Sequence, residues 1–233
     1  MSLRTETWSH FLFPRVCPVC EQLLRDDETC CCTPCRNLLQ PFATHDEACR
    51  MLLAVLQLHF GFSNAIAAGW SLYRFHKKSP LQHLLHAMKY GGRYAIGTHL
   101  GRELGEWLRE PLMSYSVDVV VPVPLHSLKL IERSYNQSEL VAAALARELD
   151  VPSDAHVLKR RHYTVSQTGL SAQERANNTA GAFVAIGRLA GCHILLVDDV
   201  MTTGSTLVAA ADALMLAGAA SVAVATIALA IKD

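Results

Sequence analysis

Residues 194–206, ILLVDDVMTTGST, restrict the fold more than any other part of the chain. Apolar residues Ile194 to Val197 run straight into two adjacent carboxylates, Asp198 and Asp199. After Val200 and Met201 comes a short loop, Thr202-Thr203-Gly204-Ser205-Thr206, and then an apolar, Ala-rich helical pattern. This is the pattern of a buried strand with charge at its C-terminal tip, the place where open α/β sheets hold ligands. A small-residue turn ahead of a helix N-terminus is an anion cradle. Carboxylates beside an anion cradle make sense for one ligand that carries both a diol and a phosphate, as ribose 5-phosphate does. A cap by Asp199 or Ser205 alone accounts for one polar residue, not for two acids and four hydroxyl-bearing loop residues. A Walker loop would need a Lys that is missing, and no G-x-G-x-x-G follows a strand-like run.

The rest of the chain alternates strands with helices. Gly69–Phe75 reads as a strand, and Ser79-Pro80 as a helix start followed by Leu81, Leu84, Leu85 and Met88 at helical spacing. That helix ends at Lys89–Arg93, and 95–109 reads as a second amphipathic helix. Val117–Val121 is a buried strand stopped by Pro122 and Pro124, 137–149 a helix, and 193–197 the strand before the acids. Beyond it come a helix, a stop at Gly218 and a β-branched strand at 222–227, a pattern that argues against a membrane span there. Residues 46–60 are helical in pattern, inside the least readable stretch, 36–66. A doubly wound α/β parallel sheet is the expected fold class, with a zinc segment at 1–45, a helical connector at 46–68 and the α/β domain at 69–233. With 51% hydrophobic residues and zero formal net charge, no global field draws the chain to nucleic acid or acidic lipid. The first 16 residues lack a signal-peptide pattern, so the expected location is cytoplasmic.

Six of the eight cysteines fall between Cys17 and Cys35. Cys17-Pro-Val-Cys20 and Cys32-Thr-Pro-Cys35 are two C-x-x-C knuckles, which together suit a tetrahedral, structural Zn²⁺. Cys30 or Cys31 is an alternative to Cys32, although Cys32 alone has the right offset to Cys35. A disulfide framework is disfavoured in a reducing cytosol, and a thioredoxin-like context for redox chemistry is missing.

The string at 194–206 resembles the 5-phosphoribosyl-1-pyrophosphate (PRPP) motif of type I phosphoribosyltransferases. Three further segments, LLHAMKYGGR (84–93), VPVPLHSLKLIERSYNQSEL (121–140) and QTGLSAQERANNTAGAF (167–183), sharpen the likeness. With the zinc knuckles, they make the chain resemble the ComF family over 12–35 and 70–231. The resemblance implies a sheet of the type I phosphoribosyltransferase kind. It further implies that Asp198 and Asp199 take the ribose hydroxyls of Mg²⁺–PRPP, and that Thr202, Thr203, Gly204, Ser205 and Thr206 take its 5-phosphate.

By the same comparison 121–126 stands where such enzymes bind pyrophosphate, with Lys129 and Arg133 in reach. Lys159–Asn178, carrying Arg161 and Arg175, resembles a lid that closes over PRPP. A rigid turn and a solvated basic loop are the plainer readings of these two segments. Two departures matter. Where the family tends to have Arg-Gly-Phe-Asn-Gln, this chain has Arg133-Ser134-Tyr135-Asn136-Gln137, which puts a φ > 0 turn there in doubt. Only Cys49 remains of a second cysteine pair, so one metal is expected.

Two functions follow: phosphoribosyl transfer to an acceptor the sequence does not identify, or single-stranded DNA handling in uptake or utilisation. For the second, Lys89, Arg93, Lys129, Arg133 and the lid cations would grip phosphates, and Tyr90, Tyr94, Tyr135 and Tyr163 would stack on bases or simply pack. An adaptor docking DNA-uptake proteins through the zinc segment is a third reading. The oligomeric state is not legible.

Overall fold

A computed structural model describes residues 15–61, 65–161 and 181–231. A one-turn helix α1 (Thr33–Arg36) closes the cysteine segment. The chain then runs α2 (His45–Phe60), β1 (Ala68–Phe75), α3 (Pro80–Tyr90), α4 (Tyr94–Leu112), β2 (Val119–Pro122), α5 (Ser127–Arg133) and α6 (Gln137–Leu149). After these come β3 (Leu158–Arg160), β4 (Phe183–Ala185), β5 (His193–Met201), α7 (Ser205–Leu216) and β6 (Ser221–Ala230). The helix expected at 137–149 has those bounds, and α4 runs past 109 to Leu112 with Pro111 in its last turn.

The main sheet has the order β1-β6-β5-β2, with every pair parallel. Ser153 bridges Val120 in parallel, so the chain extends the sheet outward past β2 before it returns to β5 on the other side of β2. Progression therefore reverses between β2 and β5, which makes the crevice at their C-terminal ends a topological switch point. Right-handed crossovers put α4 and α6 on one face and α7 on the other. β3 and β4 form a separate antiparallel pair. This is the doubly wound α/β architecture that the strand–helix alternation predicts. Among the described residues, no helix is long and apolar enough to cross a membrane.

Close backbone approach holds the α4–α6 layer. Gly97, Gly101 and Gly105 recur every four residues on the buried face of α4. A Cβ at Gly101 would lie 2.5 Å from the Val141 carbonyl oxygen, and one at Gly105 2.7 Å from Glu148 Cβ. These glycines cost helix propensity and return it as contact between α4 and α6. Leu100, Leu104, Leu108 and Leu145 are fully buried along the same seam.

The turn between α5 and α6 settles one departure from the family pattern. Ser134 occupies the left-handed position itself, with φ 65° and ψ −4°, and its N–H donates to the Leu130 carbonyl at 2.7 Å. The φ > 0 turn is thus kept without glycine, at the steric cost a Cβ meets there. We expect Ser134→Gly to stabilise the fold by about 0.5–1 kcal/mol. An unchanged or lower urea midpoint would refute that.

Candidate functional site

β5 is longer than the apolar run suggests. It continues through both acids to Met201, with Asp198 opposite Thr226 of β6. The acids are therefore strand residues above the crevice, and not part of the following loop. Asp198 Oδ1 accepts two hydrogen bonds, from Ser138 Oγ at 2.8 Å and from the Asp199 N–H at 2.8 Å. Asp199 Oδ2 lies 2.6 Å from Lys89 Nζ, in a pair whose side chains are only 12% and 21% exposed. Burial first, and the neighbouring Asp199 charge second, push the Asp198 pKa up to about 7. The Ser138 and Asp199 hydrogen bonds and Lys89 oppose that rise without cancelling it. Among the described residues, Asp198 Oδ2 and Asp199 Oδ1 carry no hydrogen bond.

Met201 leads into the loop that precedes α7. Gly204 caps α7 at φ 85°, with no side-chain cap on the helix. A Cβ there would come within 2.2 Å of Leu56 Cδ2 on α2. The positive φ favours glycine at 204, and a Cβ there would also force the Leu56 side chain on α2 to move. Thr202 and Thr203 are exposed, and Thr203 Oγ1 makes only long contacts of 3.4 Å to Ser205 Oγ and N. Uncapped N–H groups at α7 and weakly engaged hydroxyls surround a hollow of about 30 Å³ lined by Asp198, Thr202, Gly204, Ser205 and Thr206. The arrangement presents donors at a helix N-terminus beside carboxylate acceptors. A larger hollow, about 470 Å³, lies away from it at the C-terminal ends of α4 and α6.

Across the crevice, α5 and α6 deliver a second set of polar groups. Asn136 caps α6 by accepting from the Ser138 N–H at 3.1 Å, while its Nδ2 donates to the Val123 carbonyl at 3.0 Å. That cap ties the 121–126 turn to Ser138 and, through it, to Asp198. Arg133 donates to Tyr90 Oη and Gln137 Oε1 at 3.0 Å each, with its guanidinium 4.9 Å from the Tyr90 ring centroid. Among the described residues, Arg133 Nε, Gln137 Nε2 and Tyr135 Oη are buried without a partner. Lys129 is exposed on α5.

Arg161 is exposed, its backbone N–H donating to Ala182. Its neighbour Arg160, one of the lid cations, lies over the Phe183 ring at 5.3 Å; burial lowers its pKa and the Asp198 charge opposes that lowering. Arg175 and the rest of the lid-like stretch from 162 onward lie outside the described residues. Ser138 is a site residue that the motif does not announce. Its signal is topological: Ser138 opens the helix that follows the strand at the switch point.

The cysteine segment gathers Cys17, Cys20, Cys32 and Cys35, whose Sγ atoms all lie within 4.8 Å of one another. A tetrahedron with Zn–S bonds of about 2.3 Å has sulfur–sulfur edges of about 3.8 Å, so the set fits a metal ion. Burial disfavours the Cys17 thiolate, but N–H groups of Cys32, Cys20 and Val19 outweigh it and bring the pKa down to about 7. Cys30 and Cys31 stand apart from the cluster, their Sγ atoms 3.7 Å from each other. Glu28 organises the loop between the knuckles by accepting from Arg25 N, Thr33 N and Thr33 Oγ1. The segment docks on α4 through Arg36, which pairs with Glu103 at 2.9 Å, and through Arg93, which donates to the Val16 carbonyl.

With this geometry in hand, comparison with known proteins is informative. Residues 97–232 match the phosphoribosyl transferase domain family. The chain is 31% identical over 182 residues to competence protein F of Haemophilus influenzae, spanning 76% of this chain and 74% of that one. It is 38% identical over 149 residues to DNA utilization protein YhgH of Salmonella typhimurium, across 61% of this chain and 64% of that one. The chain thus spans under two thirds of the YhgH length. Among solved structures, the glutamine PRPP amidotransferase from B. subtilis is similar at a TM-score of 0.42 and 22% identity, over 61% of this chain and 30% of that one.

Proposed function

Because this chain belongs to the ComF family of phosphoribosyl transferase domain proteins, we propose that it binds PRPP or a related ribose phosphate at the β2–β5 crevice. The observation that carries this reading is the joining of two carboxylates to an uncapped helix N-terminus. Asp198 Oδ2 and Asp199 Oδ1 offer one free acceptor each, matching two vicinal hydroxyls. The hydroxyls and N–H groups of 202–206 hold the 5-phosphate, whose tip fills the small hollow at α7. Arg133 and the exposed Lys129 face the diphosphate from the 121–126 side, with the unpartnered Arg133 Nε and Gln137 Nε2 as further donors.

In the transfer reaction, a nucleophile attacks C1 of the ribose as the C1–O bond to pyrophosphate breaks, and the electron pair leaves with pyrophosphate. Positive character at C1 is stabilised by the nearby carboxylates, and Arg161 and Arg175 close over the leaving group. Mg²⁺ enters with the diphosphate, as part of the substrate. The cytoplasm supplies both PRPP and a reducing milieu for the cysteines, and Zn²⁺ is the metal we assign to them.

Calorimetric titration of PRPP with Mg²⁺ into the wild type and an Asp198→Asn/Asp199→Asn variant tests the reading. We expect saturable binding in the wild type and at least about a hundredfold loss in the variant, since two charged hydrogen-bond sets are removed. Equal binding by both proteins would place the ligand elsewhere.

A second reading, handling of single-stranded DNA or its breakdown products together with DNA-uptake proteins, is favoured by the exposed Tyr90 and Tyr94 beside Arg133 and Lys89. The relatives' names, competence protein F and DNA utilization protein, point the same way. This binding should fall steeply with salt; salt-insensitive binding would exclude it.

A further inference from the structure

The acid pair already holds a cation. Asp199 is held at 2.6 Å by Lys89 from the last turn of α3. From sequence, Lys89 reads as one of the cations that would grip phosphates, but its side chain bonds across the crevice to an acid instead. Ser138 and the Asp199 N–H complete the shell on Asp198 Oδ1.

A divalent cation such as Mg²⁺ needs several oxygen ligands at close to octahedral positions and a net negative site. Here the Asp199 carboxylate is already paired with the Lys89 ammonium, and burial beside Asp199 disfavours a second full charge on Asp198, so little net negative charge is left for a divalent ion. An ion placed on Asp199 would meet the Lys89 ammonium on the same carboxylate. The residues present therefore do not fit a divalent cation on the acid pair. They do fit neutral hydroxyl donors, which need only Asp198 Oδ2 and Asp199 Oδ1, the two acid oxygens without a hydrogen bond among the described residues.

We propose that Lys89 is the resident cation of this site, so that the acid pair takes a vicinal diol directly and excludes divalent metal. This rests on the ribose-phosphate reading and sharpens it: Mg²⁺ travels on the diphosphate and never on Asp198 or Asp199. A ligand with the diol and the 5-phosphate but no diphosphate then binds without any divalent cation. Lys89 acts through Asp199, as a positioning residue.

Two measurements test this on the full-length, zinc-loaded protein. In the first, Mn²⁺ alone is titrated and bound ion is read by electron paramagnetic resonance. We expect no crevice site in the wild type and a new site in Lys89→Met that Lys89→Met/Asp199→Asn abolishes, while Lys89→Arg behaves as wild type. In the second, ribose 5-phosphate is titrated with Mg²⁺ or with a chelator too weak to strip the zinc. The wild type should bind equally in both, and Lys89→Met should gain on the order of tenfold from Mg²⁺.

Thermal melts of each variant accompany both, so that Lys89→Gln replaces Lys89→Met if the latter fails to fold. A wild-type Mn²⁺ site that Asp199→Asn removes overturns the proposal and leaves ribose-phosphate binding standing. Ribose 5-phosphate binding that requires Mg²⁺ in the wild type overturns it as well. No ribose 5-phosphate or PRPP binding by a folded wild type, under either condition, overturns both readings.

Discussion

With Zn²⁺ on the four cysteines, as proposed, stripping the metal should unfold residues 15–39 while the α/β domain stays intact. The segment has little else to hold it. Over 15–39 the one helix is a single turn, the one β-bridge joins Val16 to Leu23, and the buried residues are mostly the cysteines themselves; only from Gln40 does the chain pair with β1, through the Pro41–Tyr73 bridge and the Phe42 N–H. Hydrogen bonds at Glu28 and the Arg36–Glu103 and Arg93–Val16 contacts fix its pose but bury little apolar surface. Metal ligation on the order of 10 kcal/mol is the larger part of its folding energy. The α/β domain, by contrast, keeps its own core around β5, β6 and the α4–α6 seam.

The expected result with a strong chelator is loss of amide-exchange protection across 15–39, with protection retained in β5 and β6. Cys17→Ser and Cys32→Ser should reproduce this and lose the zinc. Cys30→Ser and Cys31→Ser should keep a single zinc per chain by plasma mass spectrometry, because their thiols lie outside the cluster. Full zinc content in Cys32→Ser would mean that a neighbouring cysteine serves instead. Since the ligands bind as thiolates, zinc retention should also weaken as pH falls below neutrality.

Much of this architecture is written locally. The apolar run before Asp198, the Ser79-Pro80 start and the Gly218 stop each specify an element by sequence neighbours alone, and each element appears where those signals lie. The knuckle offset likewise singles out Cys32 over Cys30 and Cys31. What local pattern could not supply is anything set by a distant partner. Gly97, Gly101 and Gly105 look like weak points in a helix until α6 is laid against them. Gly204 reads as a phosphate-loop residue, yet Leu56, far earlier in the chain, is the side chain that a Cβ there would displace. Charged residues interrupt the apolar pattern at Asp198, but parallel pairing with β6 carries β5 through them to Met201. Lys89 and Ser138 reach the acids only because the switch point brings α3 and α6 to the tip of β5.

The second large effect is on stability and follows from Asp198. Its pKa in the folded protein is about 7 against an ordinary value of 3.8, with burial as the main cause. The folded state therefore binds a proton more tightly than the unfolded chain does. Below about pH 4 the group is protonated in both states and costs nothing. As pH rises, the unfolded chain ionises freely while the folded site resists, and stability is lost until pH passes about 7. The full loss is on the order of 4 kcal/mol.

Asp198→Asn keeps an oxygen able to accept from Ser138 Oγ and the Asp199 N–H, and it removes the charge. Urea unfolding of both proteins across pH 4 to 8 should give similar stabilities at the acid end. The variant should gain steadily through the middle of the range and level off on the alkaline side, more stable by that same few kcal/mol. Taking the difference between the two proteins removes the contributions of cysteines and other titrating groups that they share. A difference that stays constant over the whole range would mean that Asp198 is not held out of its ordinary ionisation. The strain exists because two acids are kept together in a buried crevice, where a diol can use them. A variant that is more stable and no longer binds ribose phosphate is the expected outcome of relieving it.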